Sequence, residues 1–301
     1  MSRKKNKIKM KQKFKHSIKT MVLISFLTIS QAWGQQVTYK VTEDNPYALP
    51  NFFINLYPVN MDIASPMALR FGAGVEYKMN KVLSFRADLE KGYFNSASGG
   101  AVKKNGTSVE AGGAFTFSTK QKTKSVKVPV EAGNTYSTTL KVDNATVIKD
   151  LGIRGGLYLF GSQKETENKT NVLFNTTGIY AGFSSVSTRN IEVDIDGYGK
   201  RRARGKNNFY VDALFSPLIS YSYNGTDTSK NNSAYLDSIL TKKPIGWRIG
   251  YMMYVKTKAI PILYGFEIGQ RTGLNIKSTF MFIKFSIPIG FDVANNLKEK
   301  K

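Results

Sequence analysis

In the stretch Thr279-Phe-Met-Phe-Ile-Lys-Phe-Ser-Ile-Pro-Ile-Gly-Phe291, side-chain character changes at every second residue. The odd positions are Thr279, Met281, Ile283, Phe285, Ile287, Ile289 and Phe291. The even positions begin with Phe280 and Phe282 and then become polar or small, at Lys284, Ser286, Pro288 and Gly290. Because successive side chains of a β-strand point to opposite faces, this pattern predicts a strand with one apolar and one largely polar face.

The same alternation recurs in eight further segments, each of about the length that a tilted strand needs to cross a membrane. They lie at about 51–60, 67–78, 82–94, 150–162, 173–187, 207–223, 244–256 and 261–271. The tract 95–149 adds further candidates at 109–118, 122–130 and 136–142. Because barrels of this kind usually have an even number of strands, one strand there gives ten and three give twelve. The sequence therefore predicts an all-β, antiparallel transmembrane β-barrel of about 10 to 12 strands, with a filled or narrow lumen.

A soluble barrel would alternate in the same way, with its apolar face turned inward, and the pattern alone does not distinguish the two. Three features favour a membrane barrel. Long runs that are apolar on both faces are missing. Aromatic residues lie toward the ends of the faces predicted to be outward, as in an interfacial girdle, at Tyr77, Trp247, Tyr221 and Phe291. Small residues recur on the polar face, where a narrow lumen needs them, at Gly72, Gly74, Gly246 and Gly250.

The first part of the chain is typical of a secretory signal peptide. Nine Lys and Arg residues and no acids precede a short apolar run at 21–29, and Ala32-Trp33-Gly34 has the small-x-small pattern of a cleavage site. The run is too short for a membrane anchor, which needs about 20 apolar residues. We predict a signal peptide at 1–34, a single outer-membrane barrel at 35–292 and a polar periplasmic tail at 293–301. The predicted location is the outer membrane of a Gram-negative cell envelope.

Charge and composition exclude several classes of function. The formal charge is +23, and the nine positive residues before Gly34 leave +14 for the rest of the chain. The one dense basic cluster lies at 200–206, so we expect anionic headgroups of outer-membrane lipid, and not nucleic acid, as the partner of this charge. There is no cysteine, and the single histidine is His16, within the predicted signal. We therefore expect no enzyme, no metal site and no cofactor.

Charged residues on the predicted inward faces form the candidate site. They are nearly balanced in sign, which is more typical of a salt-bridged interior than of a selective pore. The basic members are Arg70, Arg86, Arg154, Arg248, Arg271 and Lys284, and the acidic members are Glu76, Asp88, Glu90, Asp212 and Glu267.

One hairpin carries a resemblance to a known group of proteins. The segment Phe71-Gly-Ala-Gly-Val-Glu-Tyr-Lys-Met-Asn-Lys-Val-Leu-Ser-Phe-Arg-Ala-Asp-Leu-Glu90 reads as a strand, a tight turn and a strand. Together with Trp33-Gly34-Gln35-Gln36, it resembles the small outer-membrane β-barrels of the Bacteroidota. The residue matches are confined to these segments, and the rest of the chain agrees in pattern. The resemblance implies an outer-membrane barrel and no catalytic residues.

Two classes of function remain. The first is a non-enzymatic barrel that acts as a structural or interaction component, as an accessory subunit of an envelope complex with other envelope proteins as partners. The alternative is a small porin or transporter for small solutes.

Overall fold

The computed structural model describes residues 38–63, 68–95, 106–132, 137–165, 171–224, 241–256, 261–274 and 279–291. The predicted signal peptide and the predicted tail lie outside these ranges. Within them, no helix is both long and apolar enough to cross a bilayer.

Nearly all of the described chain is β-strand, as the alternation predicts. The strands are β1 (Tyr39–Asp44), β2 (Phe52–Asp62), β3 (Ala68–Lys78), β4 (Leu83–Asn95), β5 (Thr107–Ala132), β6 (Ser137–Glu165), β7 (Asn171–Ile195), β8 (Gly199–Asn224), β9 (Lys242–Lys243), β10 (Ile245–Lys256), β11 (Pro261–Gln270), β12 (Gly273–Leu274) and β13 (Thr279–Phe291). A single turn of 3-10 helix, Pro46–Ala48, lies between β1 and β2.

Ten strands close into an antiparallel barrel. Its circular order is β2-β3-β4-β5-β6-β7-β8-β10-β11-β13, and β13 pairs with β2 to complete the ring. β1 lies outside the ring and pairs with the end of β7. The predicted all-β antiparallel barrel is thus confirmed, with the lower of the two predicted strand numbers.

The apolar face of each barrel strand points away from the lumen. On β13, Ile283 is 47% exposed on the outside, whereas Ser286 is completely buried on the inside. The other strands contribute Phe71, Phe85, Leu89, Phe115, Leu157, Ile179, Phe215, Trp247 and Tyr264 to the same exposed apolar surface. A surface of this size and composition fits lipid and not water. The structure therefore settles the sidedness that alternation alone leaves open.

Four strands continue well beyond the barrel. β5 to β8 are 25 to 29 residues long, whereas the other barrel strands have 10 to 13. Of the predicted segments 122–130 and 136–142, the first belongs to β5 and residues 137–142 belong to β6, so they are not separate membrane strands; residue 136 lies outside the described residues. Only one strand of the tract 95–149 joins the ring, because β5 and β6 pair without interruption by a third strand as far as Ala132 and Ser137.

The far parts of β5 to β8, together with β1, form what we call the hairpin extension, which has its own apolar core. This core contains Val126, Val128, Val130, Val142, Ala145, Val147, Ile191, Val193, Ile195 and Ala203. On β7, Phe183 is 64% exposed in the barrel, whereas Ile191 on the same face is 1% exposed. The outer face of β7 thus passes from lipid-facing to buried, because the β5–β6 hairpin packs against it.

The predicted orientation of the end of β8 is wrong. Tyr221 is predicted to point outward, and alternation predicts the same for Ile219, but both pack against a buried aromatic cluster inside the barrel, and Leu218 is exposed instead. The pairing of β7 with β8 shifts register between Thr177 and Ile179, opposite Pro217. A bulge of this kind exchanges the two faces of the strand beyond it. Tyr221 is therefore not part of an outward aromatic girdle.

A short segment, residues 45–51, crosses one end of the barrel, and we call it the strap. It runs from β1, which is held against β7, to β2, which is five strands away in the ring of ten. At its start, the backbone N–H of Asn45 donates to the carbonyl of Asn190, at 3.2 Å. At its end, the carbonyl of Asn51 accepts from the N–H of Lys78, at 2.6 Å. The strap is thus fixed on opposite walls and covers the lumen at this end.

Candidate functional site: a lumen filled by charged and aromatic side chains

The centre of the lumen is occupied by Arg248 and two carboxylates. The Nε of Arg248 donates to Asp212 at 2.6 Å, and its two terminal nitrogens donate to the two oxygens of Glu110 at 2.5 and 2.8 Å. These residues come from β10, β8 and β5, so the contact spans the lumen. Such bidentate, charge-assisted hydrogen bonds are the strongest that a buried guanidinium makes.

A second arginine shares both carboxylates. Arg154, from β6, lies 3.4 Å from Glu110 and 3.4 Å from Asp212. The guanidinium groups of Arg154 and Arg248 also lie over the rings of Tyr180 and Tyr210, and the four distances from guanidinium carbon to ring centre run from 4.1 to 5.6 Å. These cation–π contacts add to the attraction in a site from which water is largely displaced.

Glycine on the inner face of β10 makes room for this packing. A side chain at Gly250 would overlap the ring of Tyr210. The hydroxyl of Tyr210 in turn donates to Glu267. The small residues of the polar face therefore serve the packing of large side chains, and they do not widen a channel.

Lys284 extends the central cluster toward β4 and β11. Its ammonium lies 3.1 Å from Glu90 and 4.0 Å from Glu267. Glu90 also accepts a hydrogen bond from the amide of Asn60, which is completely buried. Every barrel strand thus contributes at least one residue to this network or to the groups beside it.

Arg86 and Asp88, both on β4, form a separate pair beside the central cluster. The Nε of Arg86 donates to Asp88 at 2.6 Å. The hydroxyl of Tyr57 donates to Asp88 and accepts from Arg86 at 3.1 Å. Tyr57 is almost completely buried, so it ties β2 to β4 across the interior.

The end of the lumen opposite the strap is filled by aromatic rings. Phe160, Phe174, Phe280 and Phe282 form a buried cluster there. Arg271 pairs with Asp62 at 2.6 Å, and its guanidinium lies 4.2 Å from the centre of the Phe160 ring. The guanidinium of Arg70 lies 4.5 Å from the same centre. Between this cluster and the central network there is a cavity of about 60 Å³, room for about two water molecules.

The lumen is less densely filled beneath the strap. A cavity of about 580 Å³ lies there, with Tyr47, Leu49 and Pro50 of the strap on one side. Two ion pairs belong to its walls, Lys206 with Glu76 and Lys78 with Asp150, the latter at 3.6 Å. Arg248 and the carboxylates that it contacts do not line this cavity, which lies on the strap side of them.

The structure brings most of the predicted site residues into two contacting groups. The central network holds Glu90, Arg154, Asp212, Arg248, Glu267 and Lys284, with Arg86 and Asp88 beside it. Three of the predicted residues lie elsewhere. Arg70 and Arg271 are at the aromatic end, and Glu76 is at the strap end.

Sequence reasoning missed several members of the lumen. Glu110 is the most important, because both Arg154 and Arg248 contact it. A signal for it was present, since Glu110 lies between the apolar residues Val109 and Ala111 of the candidate segment 109–118, and alternation places it on the opposite face from them. Asp62, Asp150 and Lys206 were also missed because they lie at or beyond the ends of the predicted membrane segments.

Among the described residues, the interior charges named above are equal in number of each sign. The cations are Lys78, Arg86, Arg154, Lys206, Arg248, Arg271, Lys284 and Arg70, and the carboxylates are Asp62, Glu76, Asp88, Glu90, Glu110, Asp150, Asp212 and Glu267. Ion pairing compensates for the cost of removing most of these charges from water. Arg70 is the exception among the described residues: it donates to the carbonyl of Gly161 at 3.4 Å and lies over the Phe160 ring, but it has no carboxylate within 4 Å. In the part of the chain that the structure describes, no group of three or more His, Cys, Asp or Glu residues is arranged to hold a metal ion.

These features define a transmembrane β-barrel whose lumen is filled by ion pairs and aromatic rings and whose hairpins extend past one end. No family model matches the sequence, and no curated protein matches it. Among solved structures, the chain is similar to a bacterial polysaccharide outer membrane secretin, with 10% identity over 81% of this chain and 99% of that chain and a TM-score of 0.23. It is also similar to a mutant of the Rh. blastica porin, with 6% identity over 84% of this chain and 100% of that chain and a TM-score of 0.16. The assignment of the fold rests on the strand pairing and the sidedness described above.

Proposed function

We propose that this protein is a non-enzymatic outer-membrane β-barrel that acts as an interaction component of the cell envelope, as an accessory subunit of an envelope complex. The observation that carries the proposal is the contrast between the two parts of the molecule. The middle of the lumen and its aromatic end are filled, whereas the hairpin extension continues beyond the barrel with its own core. The barrel then serves as an anchor, and the extension is the part available to a partner.

The ends of the barrel suggest where that partner lies. Barrels in the outer membrane have short turns on the periplasmic side and longer loops outside the cell. The tight turn at 79–82, the strap and the end of β13 are all at the end from which the extension continues. We therefore assign the extension to the periplasm and expect a protein partner there. The Gram-negative envelope, the signal peptide and the resemblance to barrels of the Bacteroidota stay predictions on which this assignment depends.

The filled lumen counts against the alternative of a small porin. A solute path needs a water-filled constriction lined by uncompensated polar groups or a bias of charge. Here Arg248 is tied to carboxylates on two other strands, and aromatic rings occupy one end. A transport role would need these contacts to open.

Affinity capture from gently solubilised outer membrane, after mild crosslinking, tests the proposal. A variant with Lys127→Glu and Lys141→Glu reverses two exposed charges on the far part of the extension, where the two residues are direct cross-strand neighbours. The control is Lys91→Glu, an exposed charge reversal at the opposite end of the barrel. We expect a defined set of envelope proteins with wild type and the control, and its loss with the extension variant. Capture that is the same for all three proteins, or that yields no envelope protein, would contradict the proposal.

A further inference from the structure

A row of hydrogen-bond donors lies on the outer surface at the boundary between the barrel and the hairpin extension. Lys120 of β5 and Lys149 of β6 are direct cross-strand neighbours, and both are exposed. The same row continues to Ser187 on β7 and Asn207 on β8. We call Lys120, Lys149 and the adjacent Lys122 the boundary lysines.

The boundary lysines point to the same side of the sheet as the exposed apolar surface of the barrel strands, which we call the apolar belt. Along β6, Lys149, Leu151 and Ile153 share one face, and Ile153 is exposed to lipid, whereas Asp150 and Arg154 point into the barrel. Lys149 is two residues from Leu151, which corresponds to about 7 Å along the strand. The ammonium groups therefore lie at the depth where the hydrocarbon ends and lipid headgroups begin.

The pairing of these lysines is unfavourable without an anion. Like charges directly opposite each other on neighbouring strands destabilise a sheet. The next row of cross-strand neighbours consists of Lys122 on β5, Val147 on β6 and Arg189 on β7. It therefore adds two more positive charges beside the first row. A phosphate between Lys120 and Lys149 would convert this repulsion into two charge-assisted contacts.

We propose that the boundary lysines bind the phosphate of an anionic membrane phospholipid. The acyl chains of this lipid then lie against Phe115, Phe117 and Ile153, which are exposed on the adjoining belt. The combination of a phosphate site and an apolar surface at one depth selects a lipid over a soluble anion. This inference is independent of the protein partner proposed above.

The test is a titration of the purified protein with short-chain phosphatidylglycerol, followed by native mass spectrometry. Because a basic residue near an anionic lipid surface contributes about 1 kcal/mol, Lys120→Gln with Lys149→Gln should weaken binding by about 10- to 30-fold. The matched control is Lys127→Gln with Lys141→Gln, the other pair of directly opposed lysines on the same hairpin, which lies farther from the belt. The control should bind as wild type does.

Three further ligands separate the phosphate of a lipid from other sources of binding. Inorganic phosphate tests the anion alone, a diacylglycerol with the same chains tests the apolar surface alone, and phosphatidylcholine tests a headgroup without net charge. We expect each to bind more weakly than phosphatidylglycerol. Equal loss in both double variants, inorganic phosphate binding as tightly as the lipid, or no preference for the anionic lipid would each overturn the proposal. Folding of all variants is verified beforehand by heat-dependent migration on gels.

Discussion

At the scale of single residues, Arg248 is the most constrained charge of the lumen. It contacts Asp212 and Glu110 on two other strands, and its guanidinium also lies 4.7 Å from the centre of the Tyr180 ring. No other cation among the described residues makes bidentate contact with one carboxylate and a further contact with another. Its removal would leave two carboxylates with only the longer contacts to Arg154.

We therefore expect Arg248→Ala to lower the free energy of unfolding by about 3–5 kcal/mol, the usual cost of removing one partner of a buried ion pair. Urea unfolding in lipid vesicles, followed by the fluorescence of the neighbouring Trp247, measures this. Arg248→Lys should lower the free energy of unfolding by a smaller amount, because an ammonium keeps the charge but does not reproduce the bidentate geometry. Unchanged stability in Arg248→Ala would mean that the network contributes little to the barrel.

At the scale of elements, β13 tests which face of a strand meets lipid. Ile283→Arg places a charge on the exposed face. We expect it to lower the free energy of unfolding by about 2–4 kcal/mol, the cost of an arginine on the lipid face near the bilayer midplane. Ile283→Leu is the control. Folding into vesicles, scored by heat-dependent gel migration, gives the comparison. An Ile283→Arg protein that folds as well as the control would contradict the membrane assignment.

Ser286 on the opposite face of β13 shows how the structure changes such a prediction. From the sequence, Ser286→Arg is expected to be milder than an outward arginine, limited mainly by space in the lumen. Because Ser286 is completely buried in a filled interior, we now expect an arginine there to be destabilising through overpacking as well. The outward substitution with its leucine control is therefore the cleaner test of sidedness.

The hairpin extension is a second element that can be tested by itself. Val128→Asp places a carboxylate in its core, where Val128 is completely buried, whereas Lys127→Asp places the same group at the exposed neighbouring position. We expect Val128→Asp to make the extension sensitive to protease while the barrel remains folded, because a buried unpaired charge is costly. Lys127→Asp should be as resistant to protease as wild type. Limited proteolysis followed by mass spectrometry distinguishes local loss of the extension from loss of the whole fold, and equal sensitivity of the two variants would contradict the role of this core.

At the scale of the whole molecule, the filled lumen predicts a barrel without a steady pore. In planar lipid bilayers we expect no sustained conductance from wild type, because ion pairs and aromatic rings occupy the path. Arg248→Ala, where it folds, should increase the frequency of transient openings. A large, steady wild-type conductance would favour the porin alternative over an interaction component.

The predicted export of the chain gives a further whole-molecule test. Since the basic and apolar regions end at Ala32-Trp33-Gly34, the protein recovered from envelope membranes should begin at Gln35 or within one or two residues of it. Intact-mass measurement or N-terminal sequencing decides this. A folded membrane protein that retains residues 1–34 would show the signal-peptide prediction to be wrong.

What the sequence determined by itself is the local part of the structure. Alternation places each side chain on one of two faces, so the strands, the apolar surface of β13 and the shared face of Arg248 with its neighbouring glycines could be derived from a period of two. The same rule failed at Ile219 and Tyr221, where a bulge exchanges the faces. It also did not reveal that 122–130 and 136–142 continue β5 and β6, because an extended strand has the same pattern within and beyond a membrane.

What only the tertiary structure decided is which residues meet and which face is outside. Glu110 and Arg248 are far apart in the sequence and come together because β5 and β10 lie on different walls of one closed ring. Closure also determines that the strap crosses the lumen and that the two long hairpins pack against each other. The physical reason is that alternation depends on neighbouring residues alone, whereas strand order, register and the sign of the two faces depend on the whole ring.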